Sequence, residues 1–119
     1  NGPLAHPSGR LYLRSVKLYE DGALGSRGAA LLDDYSDDPD NRGLLFLAPE
    51  ELQAQVDRVL SCGLQAGVHA IGDRGIRMTL DAFEQARKQN GIRDSRHHIA
   101  HHTDASPRHV IEILADALA

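Results

Sequence analysis

Three short apolar runs, each followed by a stretch of helical periodicity, constrain this chain more than any other feature. The runs are L-Y-L-R-S-V-K-L-Y at 11–19, V-H-A-I at 68–71 and the segment from His97 to His101 around Ile99. Short β-rich runs bounded by turn signals read as strands. Strands that alternate with helices pair in parallel through right-handed crossovers. The second and third runs lie about thirty residues apart, the size of one βαβ unit. The fold class is therefore α/β, in the order β-loop-α-β-α-β-α.

The helical stretches carry their own start and stop signals. Pro49-Glu50-Glu51 places proline at a first helical position and acids in the first turn. Leu52, Val56, Val59 and Leu60 then form one stripe, which Gly63 or Gly67 ends. A second helix carries Ile76, Leu80 and Phe83 on one face and stops at Asn90-Gly91. Ser106-Pro107 opens a third, with Val110, Ile113, Leu114 and Ala117. Residues 1–10 read as a flexible arm. Residues 21–48 form a long glycine- and aspartate-rich loop, expected to be a lid or substrate loop.

Composition excludes several classes. The chain has 119 residues, a net charge of −4 and 25% charged residues, so nothing favours nucleic acid or an anionic membrane as partner. Aromatic residues make up 4%, with no Trp, which leaves little to stack on bases. No apolar run is long enough to span a bilayer. Cys62 stands alone, which favours a reducing, cytoplasmic setting. The absent initiator Met and a last helix without a stop signal read as an internal fragment. Phosphate-loop, dinucleotide and serine-elbow motifs are absent.

In parallel α/β folds, chemistry sits at the carboxyl ends of the strands. Each run offers one ligand-type residue there: Lys17, His69 and His101. Neutral imidazole is a common metal ligand. A lysine ammonium is not, having no lone pair, but a carbamate formed from the neutral amine and carbon dioxide is an anionic oxygen donor. Taken singly, Lys17 reads as a surface lysine and His69 as a core histidine. Just beyond Lys17, the loop supplies Asp21 and Arg27, whose planar fork suits a substrate carboxylate or carbonyl; the alternative for both is turn chemistry. Asp73 reads as a helix cap or as a second contact behind the metal site. Gly72 reads as a close backbone approach. Arg96, His97 and His102 read as polar neighbours, and His6 and His109 as surface residues.

Four blocks appear in order: V-K-L-Y-E-D-G-A-L-G-S-R (16–27), Y-S-D-D-P-D-N-R-G-L-L (35–45), V-H-A-I-G-D-R (68–74) and R-H-H-I-A-H (96–101). Their combination resembles amidohydrolase family 3, the metal-dependent hydrolases that include N-substituted formamide deformylase. The resemblance implies a partial (β/α)8 barrel, with these three units as barrel strands 4 to 6. Lys17 matches a position carboxylated in many members, and His69 and His101 match the fifth- and sixth-strand metal ligands. The implied reaction is hydrolysis of amide or other C–N bonds by hydroxide on one or two divalent metals, zinc foremost. The implied partner is a small amide-type molecule.

The sequence also departs from that family. No first-strand H-x-H pair and no eighth-strand aspartate base are present. Ala100 stands where a glutamate is common, and His98 where an arginine is usual. This chain alone is therefore expected to be inactive and, with an uncovered sheet, to self-associate. Two alternatives stand beside this reading: a non-catalytic regulatory member of the family, and a small metal-free α/β binding domain.

Overall fold

The computed structural model describes residues 3–91 and 97–100. Its centre is a three-stranded parallel sheet in the order β3-β4-β5, made by β3 (Ser15–Tyr19), β4 (Gln65–His69) and β5 (His98–Ala100). The mixed α/β class and the parallel pairing agree with the sequence. Lys17 stands opposite Gly67, and Tyr19 opposite His69. His69 in turn stands opposite Ala100.

Two helices return the chain between these strands, α1 (Pro49–Ser61) and α2 (Asp73–Asn90). Pro49 opens α1, and the Glu51 carboxylate accepts the Ala48 N–H at 3.1 Å, so the first turn is held from within. All four residues of the expected stripe, Leu52, Val56, Val59 and Leu60, are buried. Gly63, at φ 75°, follows the end of the helix, while Gly67 lies inside β4. On α2, Ala82, Phe83 and Ala86 are buried, Ile76 and Leu80 pack at the margin, and Gly91 closes the helix at φ 64°. The core joins these residues to Ala66, Val68 and Ile99, with Val16 and Leu18 packed against it. Each fully buried large apolar side chain contributes roughly 1.5–3 kcal/mol.

Strand bounds differ from those expected. The run at 11–19 splits at Arg14: Tyr12–Leu13 (β2) pairs antiparallel with Leu4–Ala5 (β1), and β3 begins at Ser15. The Arg14 carbonyl accepts the Gln65 N–H at 2.9 Å, which turns the chain from one ladder into the other. Residues 4–13, partly expected as an arm, thus form a hairpin closed by His6 N–H to the Leu11 carbonyl at 2.8 Å. β4 runs 65–69 rather than 68–71. Its early part was hidden by Gly67, and its late part is diverted because the Ile71 and Gly72 N–H groups bond to the Asp21 carboxylate. The helix expected after Ser106 lies outside the described residues.

The long loop is internally bonded. Asp21 bridges Leu45, Leu31 N–H donates to the Arg42 carbonyl at 2.8 Å, and Tyr35 N–H donates to the Asn41 carbonyl at 2.8 Å. Ala29, Ala30 and Tyr35 are buried within it. The Ala30 carbonyl accepts the N–H groups of Arg74 and Gly75, so a main-chain oxygen from the loop caps α2.

Candidate metal centre

Alternation along the strands sorts the site. Val16 and Leu18 face the helices with Ala66, Val68 and Ile99, so Lys17, Tyr19 and His69 share the opposite face, which among the described residues carries no helix. Lys17 and Tyr19 are exposed there, and the His69 side chain is 15% exposed. The Tyr19 ring lies 5.4 Å from the His69 ring at a 35° tilt. Lys17 Nζ lies 5.5 Å from the Tyr19 centroid, a cation–π distance.

Two of the three expected ligands are therefore on one face of neighbouring strands, and the third, His101, lies outside the described residues. Among the described residues, no three His, Cys, Asp or Glu side chains gather as a metal site. The donor set is one imidazole and one amine. It fits a cation once the amine becomes an anion, because an ammonium repels the ion it would have to hold.

The two expected substrate contacts, Asp21 and Arg27, take different places in the loop. Asp21 is fully buried, and its carboxylate accepts the N–H groups of Ala30, Ile71 and Gly72 at 2.9, 2.9 and 2.8 Å. Such a carboxylate has little capacity left for substrate. Oδ1 lies 3.9 Å from His69 Nε2. Arg27, at φ 57°, turns into the loop and forms a two-pronged pair with Asp37, Nε to Oδ1 at 3.2 Å and Nη2 to Oδ2 at 2.9 Å. That hydrogen bonding holds the Asp37 carboxyl below the usual range. Arg27 and Asp37 both line an open cavity of about 520 Å³ beside Leu24, Gly25, Leu31 and Tyr35. Asp73 is the first residue of α2 rather than its cap, because Gly72 holds the cap position. Its Oδ1 accepts the Leu32 and Arg74 N–H groups at 2.9 and 2.8 Å, which clasps the loop to the helix start. The reading of Gly72 agrees with the structure: the Ala30 carbonyl occupies the space a Cβ would take.

Two buried polar groups escaped the sequence reading. Glu20 is fully buried, and neither carboxylate oxygen has a hydrogen-bond partner among the described residues. Burial pushes its pKa up to about 7, helped by the neighbouring charges of Asp21 and Glu51 and opposed by Arg74. His97 is also buried; its Nδ1 accepts the Ala66 N–H at 2.9 Å. Parity held the signal for both. Glu20 continues the Val16–Leu18 alternation, and His97 is two residues before Ile99.

The sequence and its fold match a wider class. The chain belongs to the amidohydrolase family, whose profile matches residues 2–118. It is 41% identical to "Protein LONG AFTER FAR-RED 3" of Arabidopsis thaliana over 97 residues, 82% of this chain and 17% of that protein. It is 36% identical to "Putative amidohydrolase YtcJ" of Bacillus subtilis strain 168 over 80 residues, 67% of this chain and 15% of that protein. An uncharacterised metal-dependent hydrolase from Pyrococcus furiosus superposes at a TM-score of 0.68 with 32% identity, over 84% of this chain and 24% of that one. A second, from Pyrococcus horikoshii OT3, gives 0.67 and 31%, over 84% and 23%. The chain thus spans less than a fifth of the length of these two curated relatives. No helix among the described residues is long and apolar enough to cross a membrane.

Proposed function

We propose that this chain supplies the fourth to sixth strand units of a (β/α)8 barrel in a metal-dependent hydrolase of amide or other C–N bonds, similar to N-substituted formamide deformylase. The observation that carries the reading is the shared helix-free face of Lys17 and His69 on adjacent parallel strands. In a closed barrel that face becomes the interior, where the strand ends converge. Lys17, as its carbamate, His69 and His101 are the proposed ligands. A divalent metal, zinc by preference, supplies Lewis-acid polarisation of a carbonyl and acidifies a bound water. The Tyr19 ring, beside both His69 and the Lys17 ammonium, would flank the centre on one side. The first-strand histidines and the aspartate base belong outside this sequence, so the chain by itself is proposed to bind metal weakly and to lack activity.

Metal analysis of the full-length protein tests this. Lys17→Ala, His69→Ala and His101→Ala each lower bound zinc; unchanged zinc in all three removes the assignment. Ala100, at the common place of a glutamate, favours a second reading as a non-catalytic member. Full-length protein that binds zinc yet leaves N-substituted formamides and N-acyl amino acids intact supports that reading instead.

A further inference from the structure

We propose that Asp21 positions His69: its buried carboxylate is the post that fixes the main chain behind this ligand and ties the long loop to it. The inference rests on the metal-centre reading and adds a residue to it. His69 is the last residue of β4, so the direction of its ring depends on the backbone just beyond the ladder. That backbone is held by Asp21, which takes the N–H groups of Ile71 and Gly72, two and three residues past His69, at 2.9 and 2.8 Å. The same carboxylate holds the loop through Ala30 N–H at 2.9 Å. Bonds from N–H to a carboxylate are charge-assisted, and three together leave it little freedom. Oδ1 lies 3.9 Å from His69 Nε2, too far for a hydrogen bond but close for a charge that stabilises an imidazole polarised by a cation.

Gly75 belongs to the same device. A Cβ there would lie 2.7 Å from Asp21 Oδ2, so the helix start is hollowed to admit the carboxylate. This yields two ways of disturbing the post. Asp21→Asn keeps the shape but turns an NH2 toward backbone N–H groups. Gly75→Ala keeps the carboxylate but displaces it. Asp73→Ala is the comparison: it removes another clasp between loop and α2, the bond to Leu32 N–H, without touching the His69 turn.

The test follows Co(II) binding by visible absorption in the full-length protein and its variants, with thermal melting in parallel. Asp21→Asn weakens cobalt binding about ten- to a hundred-fold and shifts the ligand-field band. Gly75→Ala shifts the band in the same direction and carries the test if Asp21→Asn does not fold. Asp73→Ala lowers the melting temperature and leaves the band in place. Absence of a cobalt band in the wild type sinks the metal-centre reading and this inference with it. A wild-type band that Asp21→Asn and Gly75→Ala leave unmoved, at unchanged affinity, overturns the role of Asp21 alone. So does an equal shift from Asp73→Ala, which would reduce Asp21 to a general loop anchor.

Discussion

His97 Nδ1 accepts the Ala66 N–H at 2.9 Å while its ring packs 4.8 Å from that of Phe83. One side chain thereby joins the start of β5 to the start of β4 and seats both on α2. Because Nδ1 accepts, it carries the lone pair and not the proton. The residue that reads in sequence as a polar neighbour is a structural bolt.

Replacing that bolt with His97→Phe keeps an aromatic ring but leaves the Ala66 amide buried without an acceptor. The expected cost is about 1–3 kcal/mol. Urea denaturation measures it, and an unchanged midpoint would count against the bond.

Glu20 makes stability depend on pH in an unusual direction. Its folded pKa of about 7 lies above the ordinary 4.5, so the folded state keeps a proton that the unfolded state gives up. Stability from this group is full below about 4.5, declines as pH rises and is lost above about 7. Glu20→Gln removes that slope. At pH 8 the variant should exceed the wild type by up to about 3 kcal/mol. Denaturation curves collected from pH 5 to 8 decide the matter: parallel profiles for the two proteins would contradict the burial of this carboxyl.

Gly72 touches the Ala30 carbonyl that caps α2. Gly72→Ala pushes that oxygen off the Arg74 and Gly75 N–H groups and is expected to cost about 1–3 kcal/mol or more. Gly25→Ala is the control, because a Cβ there meets nothing within 4 Å. Equal melting temperatures for the two variants would deny the close approach.

The 119-residue chain on its own is expected to self-associate. Tyr19 on the helix-free face and Leu11, Tyr12 and Leu13 in the hairpin region are all exposed, and among the described residues no further strand pairs with the outer edges of the three-stranded sheet. Light scattering over a wide concentration range should show mass rising with concentration; a constant monomer mass would oppose it.

Much of this architecture was legible because periodicity is a local property. Leu52, Val56, Val59 and Leu60 spell out the buried side of α1 without outside help. The proposed metal ligands are a different matter, since Lys17 and His69 taken singly read as ordinary residues and only the four blocks in combination single them out. The anchoring role of Asp21 was not legible for a physical reason: its partners are backbone N–H groups as many as 51 positions away, which leave no mark in residue type. Glu20 and His97 were recoverable by counting parity, but charge invites placement on the surface. The hairpin of Leu4–Ala5 with Tyr12–Leu13 is too short to show alternation.

The grip of the loop on the start of α2 runs largely through main-chain atoms: the Ala30 carbonyl, and the amides of Ala30 and Leu32. Apart from Tyr35, whose hydroxyl donates to the Ala29 carbonyl, side chains on the outer rim from Leu31 to Arg42 take no part in these bonds. Such an arrangement leaves the rim open to variation: its outward chemistry can be rewritten from one relative to the next while the strand termini beneath it hold station.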